Sequence, residues 1–277
     1  MTPRDYSAQT TLITGASSGI GVALARRLAA RGSDLVLVAR RLDRLDDLAD
    51  ELRATHGVRV ETIALDLTLP HPGATLVDEV ARRGVSVTSL VNNAGFGTDG
   101  PFRDEDPSRL SALVALNIGA VVDITHAFLG QLTAAGTGVL VNVASMAGYQ
   151  PIPGMAVYAA SKAFVLSFTE ALWWEMRGTG VRTMAFSPGL TRTEFFDEIG
   201  TDNYGGTFQS ADEVAAAALR ALDRRGSTPS SLSRPGAGLS VVASRLLSRR
   251  TAVLATGRIS GAARRMRAPA RGEKVLG

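Results

Sequence analysis

The chain has no cysteine, only two lysines, and aromatic residues at just 5% of its 277 positions. Without cysteine there can be no disulfide and no thiolate metal site. The three histidines, His56, His71 and His126, show no ligand spacing, so no metal is expected. No apolar run approaches the roughly 20 residues that span a bilayer. The opening Met1-Thr2-Pro3-Arg4-Asp5 lacks the basic-then-apolar layout of a signal peptide. These absences predict a cytoplasmic protein. With 45% hydrophobic and 20% charged residues, the chain is long enough for one large α/β domain.

Acidic residues are almost missing from the last fifth. Residues 224–277 hold eleven Arg and Lys274 against Glu273, a net +11, which leaves residues 1–223 at −7. The high isoelectric point therefore describes the C-terminal segment and not the body of the chain.

Short apolar runs alternate with helical patterns. Thr10–Thr14, Leu35–Ala39, Val58–Leu65, Thr88–Val91, Val139–Val143 and Val181–Phe186 read as strands. Helical spacing lies between them, notably over 42–54, 74–83, 107–132 and 155–177. Strand–helix alternation implies βαβ units and right-handed crossovers. The expected fold is α/β, a doubly wound Rossmann-like parallel sheet with helices on both faces. Residues 1–225 are expected to form this domain. Residues 226–263 would be a substrate lid or an amphipathic segment, and 264–277 a basic tail expected to be disordered.

Scarce lysine makes Lys162 conspicuous. Arg fills 28 basic positions, yet an amine is kept here, four residues after Tyr158. On a helix that spacing puts both side chains on one face. An ammonium beside a phenol favours the phenolate and lowers the tyrosine pKa towards a useful acid/base range. A surface Tyr–Lys pair on an amphipathic helix is the plain alternative. Asn117 falls on the apolar face of the 107–132 pattern, where an unpaired amide is costly; a satisfied core asparagine would account for it equally. Ser145 closes the Val139–Val143 strand.

Between the first strand and the first helix lies Gly15-Ala16-Ser17-Ser18-Gly19-Ile20-Gly21. Glycines there permit a tight turn and a close phosphate approach, and the helix N-terminus supplies N–H groups and a positive dipole end. At the end of the second strand, where a carboxylate would accept from a ribose 2′-hydroxyl, stand Arg40 and Arg41. A guanidinium pairs instead with a 2′-phosphate, which predicts NADP(H) over NAD(H); alternatively Arg40 simply opens the polar face of the next helix. Asp66, followed by Leu67, could accept from an adenine amino group or cap the turn before Pro70. Asn93, Ala94 and Gly95 follow the fourth strand and suit close approach to a cofactor.

Taken in order and spacing, Thr14–Gly21, Asn92–Gly95, Asn117, Ser145, Tyr158-x-x-x-Lys162 and Pro188-Gly189 resemble the short-chain dehydrogenase/reductase family over residues 8 to 225. Val38-Ala39-Arg40-Arg41 and Asn142–Gly148 are most similar to bacterial NADP-type members. The resemblance implies hydride transfer between a nicotinamide and a carbonyl or secondary alcohol. It implies Tyr158 as proton donor or acceptor, and Ser145 as hydrogen-bond partner of the substrate oxygen. Lys162 would hold the nicotinamide ribose and Asn117 a water on a proton route. Pro188, Gly189, Thr191 and Thr193 would pack on the nicotinamide, its carboxamide and the pyrophosphate. Ser17, Ser18 and Ile20 join the glycines in the cofactor set. The alternative is a catalytically idle nucleotide-sensing or membrane-recruited binding protein on the same fold. A dehydratase or epimerase fits less well, since such relatives usually carry a larger C-terminal domain.

Substrate contacts are expected from Phe96, Met146, Gln150, Ile152 and Met155, and from Phe195, Phe196, Tyr204 and Phe208 on a segment able to close as a lid. Few charges occur there, which favours a small neutral or apolar carbonyl or alcohol. By the same resemblance the partner is a second or further copy, as a homodimer or homotetramer. Thr228–Ser233 looks poorly suited to the last strand that the family carries there. Leu239–Leu254 has the spacing of an amphipathic helix, for an anionic membrane surface or as a cover on the substrate pocket. Nucleic acid is disfavoured, because no aromatic stacking residue follows Phe208.

Overall fold

Alternation along each strand sorts its residues onto two separate cores. The computed structural model describes residues 5–198, 207–224, 226, 228–234, 236, 238 and 246–267. Among them, β1 (Thr10–Thr14), β2 (Asp34–Ala39), β3 (Val60–Ala64), β4 (Ser89–Asn92), β5 (Val139–Val143) and β6 (Arg182–Ser187) lie parallel in one sheet. The two-residue strands β7 (Thr191–Arg192) and β8 (Gln209–Ser210) pair separately. Strand β9 (Ser230–Leu232) completes the main sheet, whose order is β3-β2-β1-β4-β5-β6-β9.

On one face Ile13, Leu35, Leu37, Val141 and Phe186 pack under α1 (Gly19–Ala29), α2 (Leu42–His56) and α8 (Ala211–Asp223). On the other, Leu12, Val36, Val38, Leu90 and Leu140 pack under α3 (Pro72–Arg82), α5 (Val121–Ala135) and α6 (Ala156–Glu175). Neighbouring residues of one strand thus serve opposite cores, as the two-residue period demands. Each fully buried Leu or Phe contributes roughly 1.5–3 kcal/mol. Strand order runs outward from β1 to β3, then restarts at β4 on the other side of β1. The crevice at the carboxyl ends of β1 and β4 is therefore the topological switch point where such sheets bind ligands.

The predicted helix over 107–132 extends to Ala135 but is not uniform. It comprises α4 (Pro107–Val114), a π-helical segment Ala115–Ala120, and α5. A π segment inserts extra backbone into the turn and often marks a functional site; here it carries Asn117. By length and composition alone this run is apolar enough to cross a membrane, which corrects the expectation that no apolar run approaches that length. Its α5 portion packs on α3 and β4.

The expectation for Thr228–Ser233 is corrected: β9 forms there. It is an edge strand, and Pro229 precedes its first residue, so the missing N–H removes no bond from within the strand. The Pro229 carbonyl still accepts from Ala185 N at 2.9 Å, and Ser233 N donates to the Ser187 carbonyl at 3.1 Å. Ser230 Oγ donates to Glu170 Oε1 at 2.7 Å. Side-chain hydroxyls thus supply what β-propensity does not. Of the amphipathic span expected over Leu239–Leu254, positions 239–245 lie outside the described residues. Helix α9 runs over Arg249–Arg267, four residues into the segment expected to be a disordered tail. Residues 268–277 lie outside the description.

Candidate active site

The turn after β1 is shaped by backbone proximity. A Cβ on Gly21 would lie 2.1 Å from the Gly15 carbonyl oxygen and 2.8 Å from Asn93 Nδ2, so no larger residue fits. Asn93 Nδ2 donates to the Thr14 and Gly15 carbonyls at 3.0 and 3.2 Å. Thr14 Oγ1 in turn accepts from the backbone N–H groups of Asn93 and Ala94, both at 3.0 Å. The ends of β1 and β4 are locked together at the switch point. Ser18, the N-cap of α1, makes no side-chain cap hydrogen bond, so its hydroxyl does not occupy the first-turn amides. That leaves an anion site of helix-dipole type.

The second group lies where α6 faces the end of β5. Tyr158 and Lys162 are buried one turn apart, with Lys162 Nζ 5.9 Å from the centre of the phenol ring. Lys162 Nζ donates to the Val143 carbonyl at 2.8 Å. Ser145 Oγ accepts from Ala147 N at 3.1 Å and stands close enough to the Tyr158 hydroxyl to favour its ionised form. Asn117 is fully buried, and three hydrogen bonds hold its amide. Its Oδ1 accepts from Phe96 N at 3.2 Å, and its Nδ2 donates to the Phe96 carbonyl at 2.9 Å and to Ser161 Oγ at 3.1 Å. Gly95 sits between these groups: a Cβ there would meet Asn117 Oδ1 at 2.9 Å and Lys162 Nζ at 3.4 Å. The structure therefore brings Asn117, Ser145, Tyr158 and Lys162 into one cluster.

One electrostatic expectation is corrected. Burial pushes the Tyr158 phenol up to about 12, and the hydrogen bond from Ser145 only partly opposes it. Burial alone brings the Lys162 ammonium down to about 8. Desolvation outweighs the neighbouring cation here because both groups are enclosed and the ammonium is spent on the Val143 carbonyl.

The third group lies at the entrance to α2. Arg41 Nε and Nη2 donate to Ser17 Oγ at 3.4 and 3.2 Å, which ties the β2–α2 junction to the glycine turn. Arg41 Nη1 and Arg44 Nη1 both donate to Glu194, at 2.9 and 2.5 Å. Those two hydrogen bonds, Arg44 first, hold the Glu194 carboxyl below its usual range. Arg40 is exposed, and its charge reaches Asp66. Asp66 accepts from Thr68 N at 2.9 Å and Thr68 Oγ1 at 2.7 Å, so it caps its own turn. The Leu67 side chain belongs to the core.

Beyond β6, the Pro188 carbonyl accepts from Met146 N at 3.0 Å. Gly189 N donates to Ser233 Oγ, also at 3.0 Å. Thr191 Oγ1 donates to the Gly189 carbonyl at 2.9 Å and Thr193 Oγ1 to the Thr191 carbonyl at 3.4 Å. Of the expected substrate residues, Phe96, Ile152, Met155 and Phe195 gather with Leu113 around Tyr158. The Phe195 ring lies 5.3 Å from that of Tyr158. Phe196 stacks edge-on between Phe195 and Phe208. Met146 faces Gly189. Gln150 is half-buried, and Tyr204 lies outside the described residues. Sequence reasoning missed Ser161, the Val143 carbonyl and Glu194. Ser161 sits inside the Tyr158–Lys162 segment and was there to be weighed; nothing in the local pattern marks the other two. Among the described residues no cluster of His, Asp and Glu can hold a metal.

A doubly wound parallel sheet with a glycine turn at its switch point, and beside it a Ser–Tyr–Lys group whose tyrosine and lysine are buried, defines a nucleotide-binding oxidoreductase of Rossmann type. The chain belongs to the short chain dehydrogenase family, whose model matches residues 9–204. It is 44% identical over 186 residues to sulfoacetaldehyde reductase 2 of Chromohalobacter salexigens, covering 66% of this chain and 73% of that protein. Among solved structures it resembles a short-chain dehydrogenase from Sphingobium yanoikuyae in complex with NADPH. There the TM-score is 0.77 and the identity 34%, over 97% of this chain and 98% of that one. The bulky-bulky ketone specific alcohol dehydrogenase from Comamonas testosteroni gives a TM-score of 0.72 at 30% identity, over 97% and 96%.

Proposed function

We propose that the protein is an NADP(H)-dependent carbonyl reductase or alcohol dehydrogenase in which Tyr158 exchanges the proton. The observation that carries this reading is the enclosure of Tyr158 and Lys162 one helical turn apart, with Lys162 Nζ 5.9 Å from the centre of the phenol ring and Ser145 beside the hydroxyl. The dinucleotide would lie against Gly15–Gly21 and Asn93–Gly95, with Pro188, Gly189, Thr191 and Thr193 on its nicotinamide side. When bound, the nicotinamide supplies or accepts the hydride. Every other task falls to the chain. Tyr158, held protonated at neutral pH by its burial, donates to the carbonyl oxygen as charge develops there. Ser145 donates a hydrogen bond to the same oxygen. Lys162, still largely an ammonium at neutral pH, stabilises the phenolate that remains. Asn117 fixes the π segment against Phe96 and Ser161, and so holds Gly95 and Lys162 in register. A water on Asn117 would serve the proton route.

Arg41 supports NADP(H) over NAD(H) more directly than Arg40 does, because Arg41 bonds the glycine turn through Ser17. The lining of Leu113, Ile152, Met155 and Phe195 supports a neutral or apolar substrate. A sulfonate-bearing aldehyde, suggested by the name of the Chromohalobacter relative, fits less well. The neighbouring recess of about 250 Å³ holds Arg109 but also Asp99, Asp104 and Glu105, an excess of negative charge. Helix α9 covers the substrate side: Thr256 Oγ1 donates to the Pro151 carbonyl at 2.9 Å, and Gly257 lies against Pro153. Exposed Trp174 and Phe164 on α6 support a homodimer or homotetramer. The test is a panel of ketones, aldehydes and secondary alcohols read at the reduced-nicotinamide band, with each cofactor. Turnover of apolar ketones with NADPH is expected; no turnover across the panel favours the idle binding protein instead.

A further inference from the structure

The Arg41–Arg44 pair is already engaged by an anion of the chain's own making. Glu194 reaches across the crevice and spans both guanidiniums, while Arg41 keeps its other edge on Ser17. The neighbours of Glu194 show how fully this segment crosses the crevice. A Cβ on Gly19, in the glycine turn, would lie 2.8 Å from Thr193 Cγ2. On the far side, Phe195 packs on the Tyr158 ring. The carboxylate thus stands where Ser17, Arg41 and Arg44 converge, a donor set suited to a tetrahedral oxyanion. Both ion pairs are about 40% exposed, so each is weak enough to exchange.

We propose that Glu194 is a specificity-determining residue for the cofactor: its carboxylate competes with a ribose 2′-phosphate for Arg41 and Arg44, and so reduces the preference for the phosphorylated dinucleotide. This rests on the reading of Arg41 as the 2′-phosphate residue. A dinucleotide with a free 2′-hydroxyl brings no anion to that place and leaves the Glu194 ion pairs intact, whereas a 2′-phosphate must displace them. Specificity is then set by a repulsive element as well as an attractive one.

The test uses adenosine 2′,5′-bisphosphate and AMP as probes, titrated calorimetrically into the full chain and into Glu194→Gln and Arg41→Ala. Glutamine keeps the size and one hydrogen bond but removes the charge at a half-exposed position. Glu194→Gln is expected to tighten the bisphosphate about 3- to 10-fold, the worth of two exposed ion pairs, and to leave AMP within about twofold. Unchanged or weaker bisphosphate binding in Glu194→Gln, with Arg41→Ala still weakening it, overturns the role of Glu194 alone. If Arg41→Ala leaves the bisphosphate unaffected, the assignment of Arg41 fails and the competition falls with it. A parallel melting curve reports whether either variant perturbs the fold.

Discussion

The two ends of the crevice hold their cations in opposite ways. At the reactive end Lys162 is buried and paired with a backbone carbonyl, and its neighbours Asn117 and Ser161 satisfy one another inside the core. At the arginine end, Arg41 and Arg44 sit near the surface and are held by another side chain, Glu194. A buried amine is perturbed strongly and positioned rigidly; an exposed guanidinium is screened and exchangeable. The contrast teaches that the reactive end should tolerate almost no change, while the arginine end should be tunable.

Five substitutions probe that contrast, from the largest expected effect to the smallest. Lys162→Arg keeps the charge but replaces a compact donor with a planar fork in an enclosed site. It should cut kcat by on the order of 10²-fold or more, and near-normal turnover would erase the claimed rigidity. Asn117→Ala removes three buried hydrogen bonds and strands the Phe96 and Ser161 groups. A loss of about 2–4 kcal/mol in unfolding free energy is expected by denaturant titration; a loss below about 0.5 kcal/mol would show that the π segment is held by something else. Arg41→Ala should raise KM for NADPH roughly tenfold and barely move that for NADH, with Arg40→Ala weaker on both. Equal effects of the two arginines would undo the assignment made here.

The smallest effect concerns pH. Because burial lowers Lys162 from 10.5 to about 8, the unfolded chain binds the extra proton between those values. Stability should therefore gain a rising contribution from about pH 8 to 10.5. Lys162→Met removes the titrating group and should flatten that part of the melting-temperature profile; an unchanged slope would mean that the amine is not desolvated.

The same contrast explains what could be read in advance. The sheet was legible because a parallel strand buried on both faces is a continuous apolar run, as in Leu35–Ala39. Tyr158 and Lys162 were legible through one helical turn and the rarity of lysine. The β9 strand was not, because Ser230 and Ser233 are held by Glu170 and Gly189, partners some 60 and 44 positions away. Glu194 stayed hidden for the same reason: its partners lie some 150 positions upstream. The direction of the Tyr158 shift was misjudged because spacing reports a neighbouring charge and says nothing of burial. Local chemistry is written locally, whereas long-range polar pairing and desolvation follow only from the folded chain.

The most direct test is Tyr158→Phe, with turnover of an accepted ketone and the affinity for NADPH measured on the same preparation. A fall in kcat of on the order of 10²-fold or more, with cofactor affinity within about twofold of the parent, is the expected result. Turnover near that of the parent chain would contradict the assignment of the phenol as the group that moves the proton.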